Sequence, residues 1–196
     1  EKHIENIQKF GLNPIICINA FPNDTEAEYE KLTALCLTKG VKAIVSTAFV
    51  AGGKGSSDVA NAVLNELFSD KSNYHPLYQP SDSIEHKINT VAREIYGASV
   101  VEFSPKSKSQ LKMINELGFG HFSVCMAKTP VSFSDNDQLL GRPKDFTITV
   151  REFEISSGAG FIVALLGDVM RMPGLPRIPN AERIDIDVEG KITGLS

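Results

Sequence analysis

Two long apolar runs, each followed by a helical segment, limit how this chain folds more than any other feature. Pro14 opens the run IICINAF (15–21), and VKAIVSTAFV (41–50) follows one helix later. Runs of this kind, rich in Ile and Val and without polar alternation, suit strands covered on both faces. Between them Asp24 or Thr25 offers an N-cap, and Ala27, Leu32, Leu35 and Cys36 form the apolar positions of a helix ending before Gly40. A further helix starts at Ser57 and presents Val59, Val63, Leu64 and Leu67. Strand–helix–strand–helix over residues 12–68 is a parallel α/β unit with right-handed crossovers.

The remaining segments extend this pattern and then change it. EKHIENIQKFG reads as the end of an amphipathic helix with Ile4, Ile7 and Phe10 on one side. Ser81 or Ser83 starts a helix carrying Ile84, Ile88, Val91 and Ile95; VVEF (100–103) is a short strand. Pro105 opens a helix with Leu111, Ile114 and Leu117, and SVCMA (123–127) is another strand. Residues 128–145 form a polar connection longer than most loops. FTITVREFEIS (146–156) alternates, as expected of one antiparallel strand with Phe146, Ile148 and Val150 inward. FIVALLG is a buried strand, and a small hairpin turns at Glu189-Gly190. The expected fold class is α/β: a mixed, largely parallel sheet flanked by helices, with a β-rich antiparallel C-terminal part. One domain spans 1–196, its α/β part about 1–127 and its β-rich part about 146–196.

Composition narrows the partners. Net charge is −4, and neither half is basic: residues 1–98 carry nine Lys/Arg and twelve Asp/Glu, residues 99–196 eleven and twelve. Nucleic-acid binding by phosphate neutralisation is not expected. The apolar run FIVALL (161–166) is far short of the ~18 residues that span a membrane. Cys17, Cys36 and Cys125 lie in apolar surroundings, which predicts inert buried thiols and a cytoplasmic setting. His3, His75, His86 and His121 never pair at metal-ligand spacing, so no metal site is expected.

Chemistry is expected where strands end, because ligands collect beyond the carboxyl ends of parallel strands. Two loops qualify, NAFPNDTE (19–26) and TAFVAGGKGSSD (47–58), and each places a phenylalanine, Phe21 and Phe49, just past a strand. Two rings there clamp a flat heterocycle or cap the core; position alone leaves both open. Gly52, Gly53 and Gly55 permit a tight turn, with Ser56 or Ser57 capping the next helix; Gly52, Gly53 and Lys54 contact a nucleotide or form a ligand-free turn. The chain has no Gly-x-x-x-x-Gly-Lys-Ser/Thr segment. Lys106, Lys108 and Lys112 read as a solvated helix face, Ser134, Asp135 and Asp137 lack a nearby histidine for a triad, and Asp168 reads as a solvated carboxylate.

FPNDTEAE (21–28), AGGKG (51–55), REIYGA (93–98), ELGFGHFSVCMAKT (116–129), GRPKDFTITVRE (141–152), SGAGFIV (157–163) and MPGLP (172–176) occur in one order across the chain. Together they resemble formate–tetrahydrofolate ligases, over roughly the C-terminal third of such an enzyme. The resemblance implies a protein that makes 10-formyltetrahydrofolate from formate, tetrahydrofolate and ATP with Mg, through formyl phosphate. It implies that the phosphate-binding loop belongs to the remaining N-terminal domains. This segment then contributes no catalytic residue, binds no cofactor of its own, and is inactive alone; the whole enzyme is expected to be a homo-oligomer. By the same resemblance Phe21, Phe49 and Val45 hold the pterin, with Phe49 standing where relatives carry Trp. Many relatives also carry Gly where Asp145 stands. A chain without an initial Met that opens inside a helix is expected to be a fragment; the alternative is a standalone, non-catalytic folate- or nucleotide-binding module.

Overall fold

The computed structural model describes residues 1–69, 72–167 and 177–194; Asp168 and the MPGLP block lie outside them. Helix α1 (Lys2–Gln8) leads to β1 (Ile15–Asn19), α2 (Glu26–Thr38) and β2 (Lys42–Ser46). Thr25 starts α2 through a capping box: the Glu28 carboxylate accepts from the Thr25 N–H at 2.8 Å and from its hydroxyl at 2.9 Å. β1 and β2 pair in parallel, Ile15 opposite Lys42 through Asn19 opposite Ser46. The second apolar run does not stay extended to residue 50: after Ser46 the chain turns into the short helix α3 (Ala48–Ala51), then a 3-10 turn (Gly52–Ser56), then α4 (Ser57–Leu67).

The main core is built later in the chain. α5 (Ile84–Thr90) is capped by the Ser83 hydroxyl, which accepts from the His86 N–H at 3.2 Å, and it continues as a π-helix over Val91–Tyr96. β3 (Val100–Phe103) precedes α6 (Pro105–Glu116), which has Ser104 as N-cap and Pro105 in its first turn. Then come β4 (Ser123–Ala127), β5 (Thr147–Val150), β6 (Glu152–Ser156) and β7 (Phe161–Leu165). Ile84, Ile88 and Ala92 from one helical face meet Leu111 and Ile114 of α6 and the inward residues of β5–β7. The expected α/β class is observed, with parallel strands, flanking helices and antiparallel pairing late in the chain. The strands divide among separate sheets: β1–β2, β3–β5, β4–β7–β6, and the hairpin β8 (Asp185–Ile186) with β9 (Ile192–Thr193).

Several expectations are corrected. The segment 146–156 is two strands. Phe146, Ile148 and Val150 are buried as expected, but β5 pairs in parallel with β3, and at Arg151 the inward face changes parity so that Phe153 is the next buried residue. β6 alone is antiparallel, with β7. Helix α1 buries Lys2 and Asn6 rather than its apolar side: Lys2 Nζ donates to Glu94 O at 2.9 Å and Asn6 Nδ2 to Ile95 O at 3.1 Å. Carbonyls at the end of the π-helix need donors, and these two side chains supply them. The cysteines are not buried: Cys17 and Cys125 are exposed and Cys36 is half-buried, because β1 and β4 are edge strands of narrow sheets. Ser56 occupies the cap position of α4 without a side-chain cap bond.

Lys87 carries no sequence signal yet is fully buried. Its ammonium donates to the carbonyls of Pro80 at 2.8 Å and of Gly120 and Phe122, each at 2.9 Å. Three acceptors match its three N–H donors, which satisfies a charge taken out of water. Burial nonetheless lowers its pKa from the usual lysine value. The ammonium ties α5 to two distant turns.

The 128–145 connection is a strap held by its own polar groups. The Ser132 hydroxyl donates to Leu139 O at 2.5 Å, Asp135 accepts from the Thr149 N–H at 3.1 Å, and Arg142 makes a two-pronged ion pair with Glu5 of α1. At its end Asp145 has φ +56°, alone among the described non-glycine residues in the left-handed region. That conformation favours glycine, the residue that the resemblance places there. Asp145→Gly is expected to stabilise the fold by about 0.5–1 kcal/mol, and Asp145→Val, β-branched, to cost about 1–2 kcal/mol. Urea midpoints report both; equal stability of the Gly and Val variants would refute the backbone explanation.

Candidate functional site

The register of β1 and β2 sets the site. Because Asn19 lies opposite Ser46, both strands end at one level and their following loops leave side by side. The first loop is closed by Asp24, whose carboxylate accepts from the Phe21 N–H at 2.8 Å and from the Tyr29 hydroxyl at 3.1 Å. Desolvation first, and then this bond to Asp24, raise the Tyr29 pKa from its ordinary value. The second loop closes on itself: the Thr47 N–H donates to Gly55 O at 3.1 Å. A Cβ on Gly55 would stand 2.5 Å from the Thr47 carbonyl carbon and 2.7 Å from both Thr47 O and Ala48 N, so only glycine fits. Within this ring α3 carries Phe49.

The two loops bring Phe21 and Phe49 together, with ring centroids 5.0 Å apart and planes tilted by 57°. Both are exposed, 49% and 69%. Neither ring caps the core, which decides one of the alternatives left open by position. A flat ring stacked between two others needs ~7 Å, two carbon contacts of ~3.5 Å, so at 5.0 Å the rings touch and leave no room for a third between them. Val45 lies half-buried on β2 opposite Ile18. Gly52, Gly53 and Lys54 stand exposed on the 3-10 turn; Gly52 needs glycine for its φ of +58°, while a Cβ at Gly52 or Gly53 would meet nothing within 4 Å.

An open cleft of about 660 Å³ runs from the end of β1 along the first turns of α2, lined by Ile18, Asn19, Asp24, Ala27, Tyr29 and Leu32 among others. None of Val45, Phe49 or Gly52–Lys54 lines it; Phe21 stands in the loop between two residues that do. Tyr29 carried no functional signal in the sequence. Its position five residues after Asp24, on the helix that the capping box starts, was the available clue.

Among the described residues, no group of three or more His, Cys, Asp or Glu side chains converges to hold a metal ion. No described helix is long and apolar enough to cross a membrane. Lys106, Lys108 and Lys112 lie on an exposed face of α6, with Lys106 paired to Glu152 and Lys112 to Glu116 at 3.8 Å.

Exposed Phe21 and Phe49 at the carboxyl ends of a parallel strand pair place the chain in the class of α/β folds, in which ligands collect at such strand ends. The match to known families gives that class its particular member: the family model for formate–tetrahydrofolate ligase matches residues 1–196, and the chain belongs to this family.

Proposed function

We propose that this chain is the folate-holding part of a formate–tetrahydrofolate ligase, corresponding to roughly its C-terminal third. The observation that carries the reading is the contact between Phe21 and Phe49, two exposed rings at adjacent strand ends. The rings touch at a 57° tilt rather than face to face, and a pterin enters between them as they part. Val45 supplies an apolar floor beside the cleft wall at Ile18. Asn19 and Asp24, both lining the cleft, offer acceptors at its polar end.

ATP and Mg serve the family's reaction, but the residues described here do not fit them. The chain has no phosphate-cradling Gly-Lys-Ser/Thr loop, and its acidic side chains form no metal-ligand cluster among the described residues. On this reading the phosphate chemistry belongs to the enzyme's other domains, as the resemblance implies, and the chain's own contribution is positioning tetrahydrofolate for formyl transfer. Gly52, Gly53 and Lys54 serve this site by shaping the turn behind Phe49. On this reading the chain alone has no ligase activity.

Phe21→Ala in the complete enzyme is expected to raise the tetrahydrofolate KM about 2- to 12-fold, the ~0.5–1.5 kcal/mol of one aromatic contact, with the KM for ATP unchanged. Phe49→Trp is expected to lower it, since a larger ring stacks more area. An unchanged tetrahydrofolate KM in Phe21→Ala would remove this ring from the site. Formate-dependent ATP turnover by residues 1–196 alone would overturn the division of labour.

A further inference from the structure

Phe21 has no packed seat in the core to set its direction. Half of the residue is exposed, and the ring it meets, Phe49, is more exposed still. The rotamers open to such a ring follow from its backbone, so whatever holds residues 20–24 aims the ring. Upstream, the Ala20 N–H donates to Ser46 O at 2.9 Å and ties the loop to the end of β2. Downstream, Asp24 closes the turn twice. Its backbone N–H donates to Phe21 O at 3.0 Å, and its Oδ2 accepts from the Phe21 N–H at 2.8 Å. Pro22, directly after Phe21, suits the second position of such a turn.

The second of these bonds depends on a side chain that is itself exposed. An exposed carboxylate turns among rotamers and trades its partners for water unless something holds it. The Tyr29 hydroxyl does so, donating to the same Asp24 Oδ2 at 3.1 Å. Tyr29 is half-buried near the start of α2, and the Thr25–Glu28 capping box fixes that start. Desolvation, and then the Asp24 bond, hold its phenol above the ordinary value, so the donor keeps its proton at neutral pH. Restraint therefore passes from α2 through Tyr29 and Asp24 to the Phe21 backbone. The Phe49 loop closes differently, through the backbone bond from Thr47 to Gly55.

We infer that Tyr29 is a positioning residue for tetrahydrofolate: through Asp24 it fixes the backbone that aims Phe21 at the pterin. The inference rests on the folate reading of Phe21. A residue that acts only through Phe21 contributes no more than Phe21 does, and contributes nothing once that ring is gone. Tyr29 also lines the cleft along α2, so a direct contact with ligand is the rival role. Tyr29→Phe separates the two, because it keeps the ring on the cleft wall and removes the donor alone.

The test is a double-mutant cycle in the complete enzyme: Tyr29→Phe, Phe21→Ala and both together, with KM for each substrate and kcat measured throughout. Tyr29→Phe is expected to raise the tetrahydrofolate KM about 2- to 5-fold, the worth of one exposed hydrogen bond. That rise stays below the one for Phe21→Ala, and kcat and the KM values for ATP and formate do not change. Added to Phe21→Ala, Tyr29→Phe is expected to raise the tetrahydrofolate KM no further. If Phe21→Ala raises this KM and Tyr29→Phe does not, the positioning role is overturned and the folate reading stands. If neither raises it, the folate reading fails and takes this inference with it. Rises that multiply in the double variant would show that Tyr29 acts independently of Phe21, which overturns the inference. A fall in kcat, or an equal rise in every KM, would show a general structural role and overturn it too.

Discussion

Lys87→Ala is expected to destabilise the protein by about 3–5 kcal/mol, from a core cavity together with buried carbonyls left without a donor. The loss has two sources. Deleting the side chain opens a cavity in a core position of α5, between Ile84 and Ile88, both fully buried. It also strips a donor from three carbonyls, those of Pro80, Gly120 and Phe122. Leaving one buried acceptor unpaired costs ~1–3 kcal/mol. Lys87→Met separates the two sources, because it keeps most of the volume and restores none of the donors. If hydrogen bonding dominates, Met recovers less than half of the loss. Urea unfolding followed by circular dichroism gives both values; a loss below about 1 kcal/mol for Lys87→Ala would show that water reaches the carbonyls and that the ammonium is not the tie described.

Gly55→Ala is expected to cost about 2–3 kcal/mol, the range for forcing atoms into filled space, and to disturb the site as well. The added methyl would meet Thr47 and Ala48 backbone atoms at 2.5–2.7 Å, and backbone has no rotamer through which to yield. The 47–55 ring must open, and Phe49 rides on it. On the proposed reading tetrahydrofolate binding weakens together with stability. Gly53→Ala two residues earlier is the control: its methyl would meet nothing within 4 Å, so it should fall within about 0.5 kcal/mol of the original, as surface substitutions do. Thermal melts and tetrahydrofolate titration of the complete enzyme read both effects. Equal behaviour of the two variants would refute the argument that Gly55 is required by close approach.

The two aromatic positions at the strand ends were legible along the chain; the cleft along α2 was not. Phe21 and Phe49 were recognisable because each follows an apolar run directly, and in a parallel pair the two strand ends share one level. The Thr25–Glu28 capping box and the Ser104-Pro105 helix start were legible for the same reason, since their partners lie within three residues. Tyr29 is not legible in the sequence because its hydrogen bond to Asp24 depends on how the loop folds back. Whether the phenylalanines capped the core or faced outward was undecidable from position: either ring packs against its own strand equally well until the rest of the sheet is placed.

Local periodicity and capping thus specified which segments become helices and strands, and the order of the α/β unit. The tertiary structure alone decided the partners. The parallel pairing of β3 with β5 joins residues 47 positions apart, and no repeat within either strand encodes it. The switch of inward face at Arg151 arises because β5 and β6 serve different sheets. Lys87 and Asn6 look like surface residues in sequence, and became interior because distant carbonyls required donors. Side-chain spacing encodes the element; burial against remote chain, with every buried polar group seeking its partner, encodes the assembly.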